Sequence, residues 1–179
     1  VSAYAVIANM NIIVIAILTG IGQGFQPLIS EFYGAKQIKE GQEAFHLGLW
    51  TYIVIGFIFT LIGVLFPEQM VGIFNSQNNL QLTETAVSGL TLYFTSFAFT
   101  GINFFVIYYA AAVNDGRLSM LISLLRGLIL ILPVLLVMSR LLGLQGVWLT
   151  MTVVELLTAV ISLSFILYYR KSFKKSYQD

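Results

Sequence analysis

The chain has 179 residues, of which 58% are apolar and 9% charged, with a formal net charge of +1. A soluble domain carries about 25% charged residues, so nine Lys or Arg and eight Asp or Glu cannot cover the surface of one this long. The lack of cysteine excludes a disulfide framework, a thiolate nucleophile and a Cys-based zinc site, and scattered cations provide no basic field for nucleic acid. What remains is an all-α, polytopic membrane protein in contact with the lipid bilayer.

A hydrocarbon core of roughly 30 Å needs about 20 predominantly apolar residues in a helix, and five runs meet that length: about 3–29, 45–66, 87–113, 118–139 and 145–169, followed by a basic tail over 170–179. In the first run Asn9, Ala16, Thr19, Gln23, Gln26 and Ser30 fall on one face at helical spacing. Gly20 and Gly24 form a GxxxG pattern that admits a neighbouring backbone. Pro27 lies in the last turn of this span, where it frees a carbonyl and bends the helix end. His46 opens the second run as an interfacial residue. Residues 67–86 start with a helix-initiating Pro67, place Met70, Ile73 and Phe74 at helical spacing and continue into the polar run 75–79, which predicts a short interfacial helix.

The third run carries Tyr93, Ser96, Thr100 and Asn103 on one face, with Asn103 near mid-membrane. Asn114, Asp115, Gly116 and Arg117 form a tight turn. The fourth run contains Arg126. On the insertion scale a central Arg costs about 2.5–3.5 kcal/mol, and each Leu, Ile or Val returns about 0.3–0.6. The 14 such residues in this segment outweigh it, so the segment spans. In the fifth run Trp148, Thr152, Glu155, Ala159 and Ser162 share a face.

Alternating the connections places Lys36, Lys39, Arg117, Arg170, Lys171, Lys174 and Lys175 on one side and only Arg140 on the other. The excess makes the first side cytoplasmic, and with it the C-terminus. Five spans, no Met at position 1 and no signal peptide lead to the expectation of a C-terminal piece of a longer protein.

Small and polar stripes on three helices suggest that they surround something polar, so Glu155, Asn103, Gln23, Gln26, Thr100 and Trp148 are the candidates for a substrate or ion pathway. Ionisable groups inside a bilayer usually face the bundle interior. Arg126 is expected to tie helices together or to snorkel. Glu155 is open between structural pairing and a protonatable site. By helical rise Arg126 lies roughly 13 Å from Arg117, and Glu155 roughly 22 Å from Arg170. A pair between them is therefore allowed but not required. No GxSxG, HExxH or Walker loop occurs, so no enzymatic or ATP-driven chemistry is expected, and no cofactor or metal.

Three segments carry a resemblance. GIGQGFQPLISEFYGA at residues 20–35 resembles the end of the eighth helix of the multidrug and toxic compound extrusion (MATE) family. NDGR at 114–117 with SLLRGLILILP at 123–133, and GLQGVWLTMTVVELLTA at 143–159, resemble its helix 10 to 12 region. The resemblance implies helices 8 to 12 of a twelve-helix transporter, most of its C-terminal six-helix lobe, partnered by an N-terminal lobe. It also implies export of small cationic amphipathic compounds across the plasma membrane, such as the bacterial inner membrane, in antiport with Na⁺ or H⁺ by alternating access. Some members carry a coupling Asp in helix 10, where this chain has only Asn103, so the cation site is not carried over. Two other functions remain open: a lipid-linked saccharide flippase of the same superfamily, and a non-transport scaffold or sensor subunit.

Overall fold

The computed structural model describes residues 3–74 and 80–175. They form eight α-helices and one π turn: α1 (Ala3–Gly34), α2 (Ile38–Leu65), α3 (Pro67–Phe74), α4 (Leu80–Phe94), α5 (Phe97–Ala112), α6 (Gly116–Leu124), the π turn (Leu125–Ile129), α7 (Ile131–Leu142) and α8 (Leu144–Lys175). Four helical stretches are long and apolar enough to cross a membrane, and α4 with α5 makes a fifth if the bent pair counts as one span.

Helix ends extend beyond the expected apolar runs. α1 continues past Ile29 to Gly34 and α2 starts at Ile38 instead of residue 45. Their charged outer turns, with Glu31, Lys39, Glu40 and Glu43, keep helical hydrogen bonds outside any hydrocarbon, so composition marks the lipid boundary and not the helix boundary. Pro27 is consequently well inside α1 and not in its last turn. α1 ends in a Schellman motif: Lys36 is left-handed at φ 55°, Gln37 N donates to Phe32 O (3.0 Å) and Lys36 N to Tyr33 O (3.3 Å). The NDGR turn repeats the device with Asn114 at φ 63° and Asp115 N donating to Ala110 O (2.8 Å). Asp115 then caps α6 by accepting from Leu118 N (3.1 Å). α8 likewise runs on to Lys175, through most of the expected tail; residues 176–179 lie outside the described residues.

The short helix expected from Pro67 is α3, which packs on α4 and α2. Val71 is its buried anchor, whereas Ile73 is exposed. The polar run 75–79 falls outside the described residues.

The third expected span is not continuous. It breaks at Thr95 and Ser96, and its two halves meet at 44°. The break frees carbonyls in an apolar interior, and hydroxyls satisfy them. Thr95 Oγ1 (2.6 Å) and Thr152 Oγ1 of α8 (2.9 Å) donate to Leu92 O, and Thr60 Oγ1 of α2 donates to Phe94 O (3.0 Å). Ser and Thr compete for backbone carbonyls in this way, and neighbouring helices repair broken ladders in membranes.

α5 is the hub, packed against α1, α2, α6 and α8. It meets α2 backbone to backbone, since a Cβ on Gly101 would run into Tyr52 O and one on Gly56 into Phe97 O. α1 meets α5 where Gly22 receives the Tyr108 ring. Gly20 and Gly24 have no heavy atom within 4 Å of a built Cβ, so the close contact of this helix is at Gly22 and not at the expected GxxxG pair. The helical phase explains it: the buried side of α1 is Val6, Ile7, Met10, Val14 and Leu18, four residues short of Gly22.

Candidate functional site

The site lies where α5, α8 and the π turn meet. Pro133 has no N–H to give Ile129 and its ring crowds that carbonyl. The turn before it widens, and Leu130 N bonds Leu125 O (3.0 Å), five residues back. Arg126 sits in this π turn. From there its guanidinium reaches α8: Nε donates to Glu155 Oε1 at 3.0 Å, and Nη2 forms the ion pair with the same oxygen. Its plane is over the Phe104 ring, 4.5 Å from the centroid.

Asn103 completes the cluster from α5. Its Nδ2 donates to Glu155 Oε2 (2.6 Å) and to the Glu155 carbonyl (3.0 Å), and its Oδ1 accepts from Ser162 Oγ (2.8 Å). Glu155 is 1% exposed and Asn103 and Ser162 are fully buried, whereas the Arg126 side chain retains 16% exposure. Each carboxylate oxygen therefore has a donor, and among the described residues no buried side-chain polar atom lacks a partner. Those residues also contain no group of three or more His, Asp or Glu able to hold a metal ion.

The pair that helical rise allowed but did not require is formed, with Arg126 Nε 3.0 Å from Glu155 Oε1.

The structure brings the stripes of α5 and α8 together but not that of α1. Thr100 is buried one turn before Asn103 and donates to Ser96 O (3.0 Å). On α1, Asn9 and Gln23 are exposed and Gln26 half-buried. Only Ser30, donating to Ala112 O (3.0 Å), reaches α5 from that stripe. Trp148 shares the buried face of α8 with Glu155 but lies two turns away. It stacks on Tyr4 (6.2 Å) and lines a separate cleft of about 390 Å³ with Glu84, Thr85, Ser88, Leu144 and Gln145. His46 is exposed and its Nδ1 donates to Gln42 O of its own helix (2.7 Å). Phe104, under the guanidinium, carried no signal in the sequence beyond its place next to Asn103.

Comparison with known proteins matches this arrangement of helices. The "Multidrug export protein MepA" of Staphylococcus aureus is 29% identical over 148 residues, covering 80% of this chain and 31% of that protein. Among solved structures, the outward-facing conformation of a multidrug resistance MATE family transporter of the MOP superfamily superposes with a TM-score of 0.86 at 15% identity, over 97% of this chain and 39% of the other. An inward-facing conformation gives 0.84 at 16% identity, over 98% and 40%. The chain thus spans about a third of the length of the curated relative. The MatE family model matches residues 1–137, and the chain belongs to that family of multidrug and toxic compound extrusion transporters.

Proposed function

We propose that this chain forms most of the C-terminal lobe of a secondary active exporter that moves cationic amphipathic compounds out of the cell in exchange for Na⁺ or H⁺. The observation that carries this reading is the match of one helix arrangement to both an outward-facing and an inward-facing transporter, with TM-scores of 0.86 and 0.84. A lobe that keeps its internal packing in both states moves as a body, which is what alternating access requires of it. In this reading the exposed amide face of α1, with Gln23 and Gln26, borders the passage opposite an N-terminal lobe. Gly20 and Gly24 keep that face smooth for it. The cleft beside Trp148 and Glu84 opens on the outer side, and the basic end of α8 faces the cytoplasm.

Ethidium efflux from pump-deficient bacterial cells expressing the full-length protein tests this. Efflux that collapses when the Na⁺ and H⁺ gradients are dissipated is expected. Good membrane expression without efflux of any cationic dye would refute it. Replacing both Gln23 and Gln26 by Leu is expected to reduce efflux at least several-fold without loss of expression; unchanged efflux removes those residues from the passage.

A further inference from the structure

We propose that the outer cleft between α4 and α8 holds the head group of an amine-bearing phospholipid, with its ammonium on Glu84 and its phosphate on the Trp148 indole and the start of α8. This goes beyond the transporter reading and does not rest on it.

The cleft, of about 390 Å³, has Glu84, Thr85 and Ser88 of α4 on one wall and Leu144, Gln145 and Trp148 of α8 on the other. That volume suits a small-molecule site. Its polar groups are of two kinds. Glu84 supplies an exposed carboxylate that has no salt-bridge partner among the described residues, and no lining residue is cationic. An ammonium fits there.

The donors lie on the opposite wall. Trp148 is only 5% exposed, and its indole N–H has no hydrogen-bond partner among the described residues. Since no buried side-chain polar atom among them lacks a partner, that N–H is not sealed in the core but opens on the space that Trp148 lines. The first N–H groups of α8, at Leu144 and Gln145, have no acceptor inside the helix and favour an anion. Arg140, in the last turn of α7, stands at the same end of the bundle. A ligand that uses both walls carries a cation and an anion a few bonds apart. A simple organic cation would leave the donors idle.

The surroundings of the cleft indicate where such a zwitterion comes from. Leu141, Leu142 and Leu144 are exposed around the α7–α8 connection, and Phe66 and Ile73 are exposed at α3, which packs on α4. Side chains of this size each gain about 1.5–3 kcal/mol on leaving water, so the neighbours of both walls belong among acyl chains. A polar cleft beside them lies at head-group level, where Trp is favoured. An amine-bearing phospholipid is the zwitterion found at that level.

The test is the rate at which N-ethylmaleimide modifies a cysteine in the cleft of the full-length protein, read on the labelled peptide by mass spectrometry. The reporters are S88C on one wall and Q145C on the other, each with and without E84Q, and K36C at the far end of the bundle serves as control. The protein is placed in nanodiscs of phosphatidylglycerol alone or of phosphatidylglycerol mixed with phosphatidylethanolamine. Phosphatidylethanolamine is expected to slow S88C and Q145C several-fold and to leave K36C unchanged, and E84Q should abolish the slowing at both reporters. If S88C fails to accumulate, Q145C gives the same readout. Equal rates in the two lipids, or a slowing that E84Q leaves intact, would overturn the proposal. So would protection by ethidium in phosphatidylglycerol without protection by phosphatidylethanolamine, which would assign the cleft to a soluble cation. These rates are read without transport, so a failure of dye efflux bears on the transporter reading alone.

Discussion

Asn103 holds three partners at once: the Glu155 carboxylate, the Glu155 carbonyl and the Ser162 hydroxyl. Leu at this position would leave the carboxylate with one side unpartnered in a buried setting, which costs about 1–3 kcal/mol. N103L is therefore expected to melt several degrees lower than wild type, by differential scanning fluorimetry, and S162A by less, since it loses only the outer bond of the chain. Thr152 is a second such residue, donating from α8 to the carbonyl freed at the break. T152V keeps its shape and removes the donor, for a loss on the order of 1 kcal/mol. These residues were legible as a polar stripe because a 3.6-residue period survives in apolar surroundings. The pairing of Arg126 with Glu155 was only half legible. The sequence carries both charges, but their relative depth depends on where helices end, which hydropathy does not report.

Among the elements, the α4–α5 break was hidden. Residues 87–113 read as one apolar run, and the sole local cue was the adjacent Thr95 and Ser96. Their hydroxyls act only together with Thr60 and Thr152, which come from far along the chain. The same holds for the glycines. GxxxG at Gly20 and Gly24 is the conspicuous pattern, yet the backbones that touch are those of α2 and α5 at Gly56 and Gly101. Spacing identifies a smooth face but not which helix lies against it. G101A should be severely destabilising, because a methyl would meet the Tyr52 carbonyl and both backbones must part, at a cost of about 1–3 kcal/mol or more. G20A is expected to leave the melting temperature of the protein within about 1 °C, because an added methyl there meets no atom within 4 Å. Comparing the two variants by membrane expression and melting separates these roles.

For the whole molecule, charge distribution predicts the orientation. The α1–α2 connection and the end of α8 belong to one side, and the start of α4 to the other. This chain has no cysteine, so none of its own residues competes with a single introduced cysteine for label. With a membrane-impermeant thiol reagent on intact cells, E84C should react and K36C should react only after lysis. The reverse pattern would invert the topology.

The α7–α8 connection has a consequence for how the protein is made. A single residue, Gly143 at φ 59°, links the two helices, and Gly146 packs against Met138 O at once. Arg126 leaves the ribosome well before Glu155, and an unpaired Arg in lipid is costly. The 14 Leu, Ile and Val residues of the segment over 118–139 carry it into the bilayer in spite of Arg126, and the tight hairpin sets α8 directly beside it. Translation truncated ahead of Glu155 should therefore still leave α6–α7 inserted, with the Arg126 guanidinium unpaired until the chain extends through Glu155.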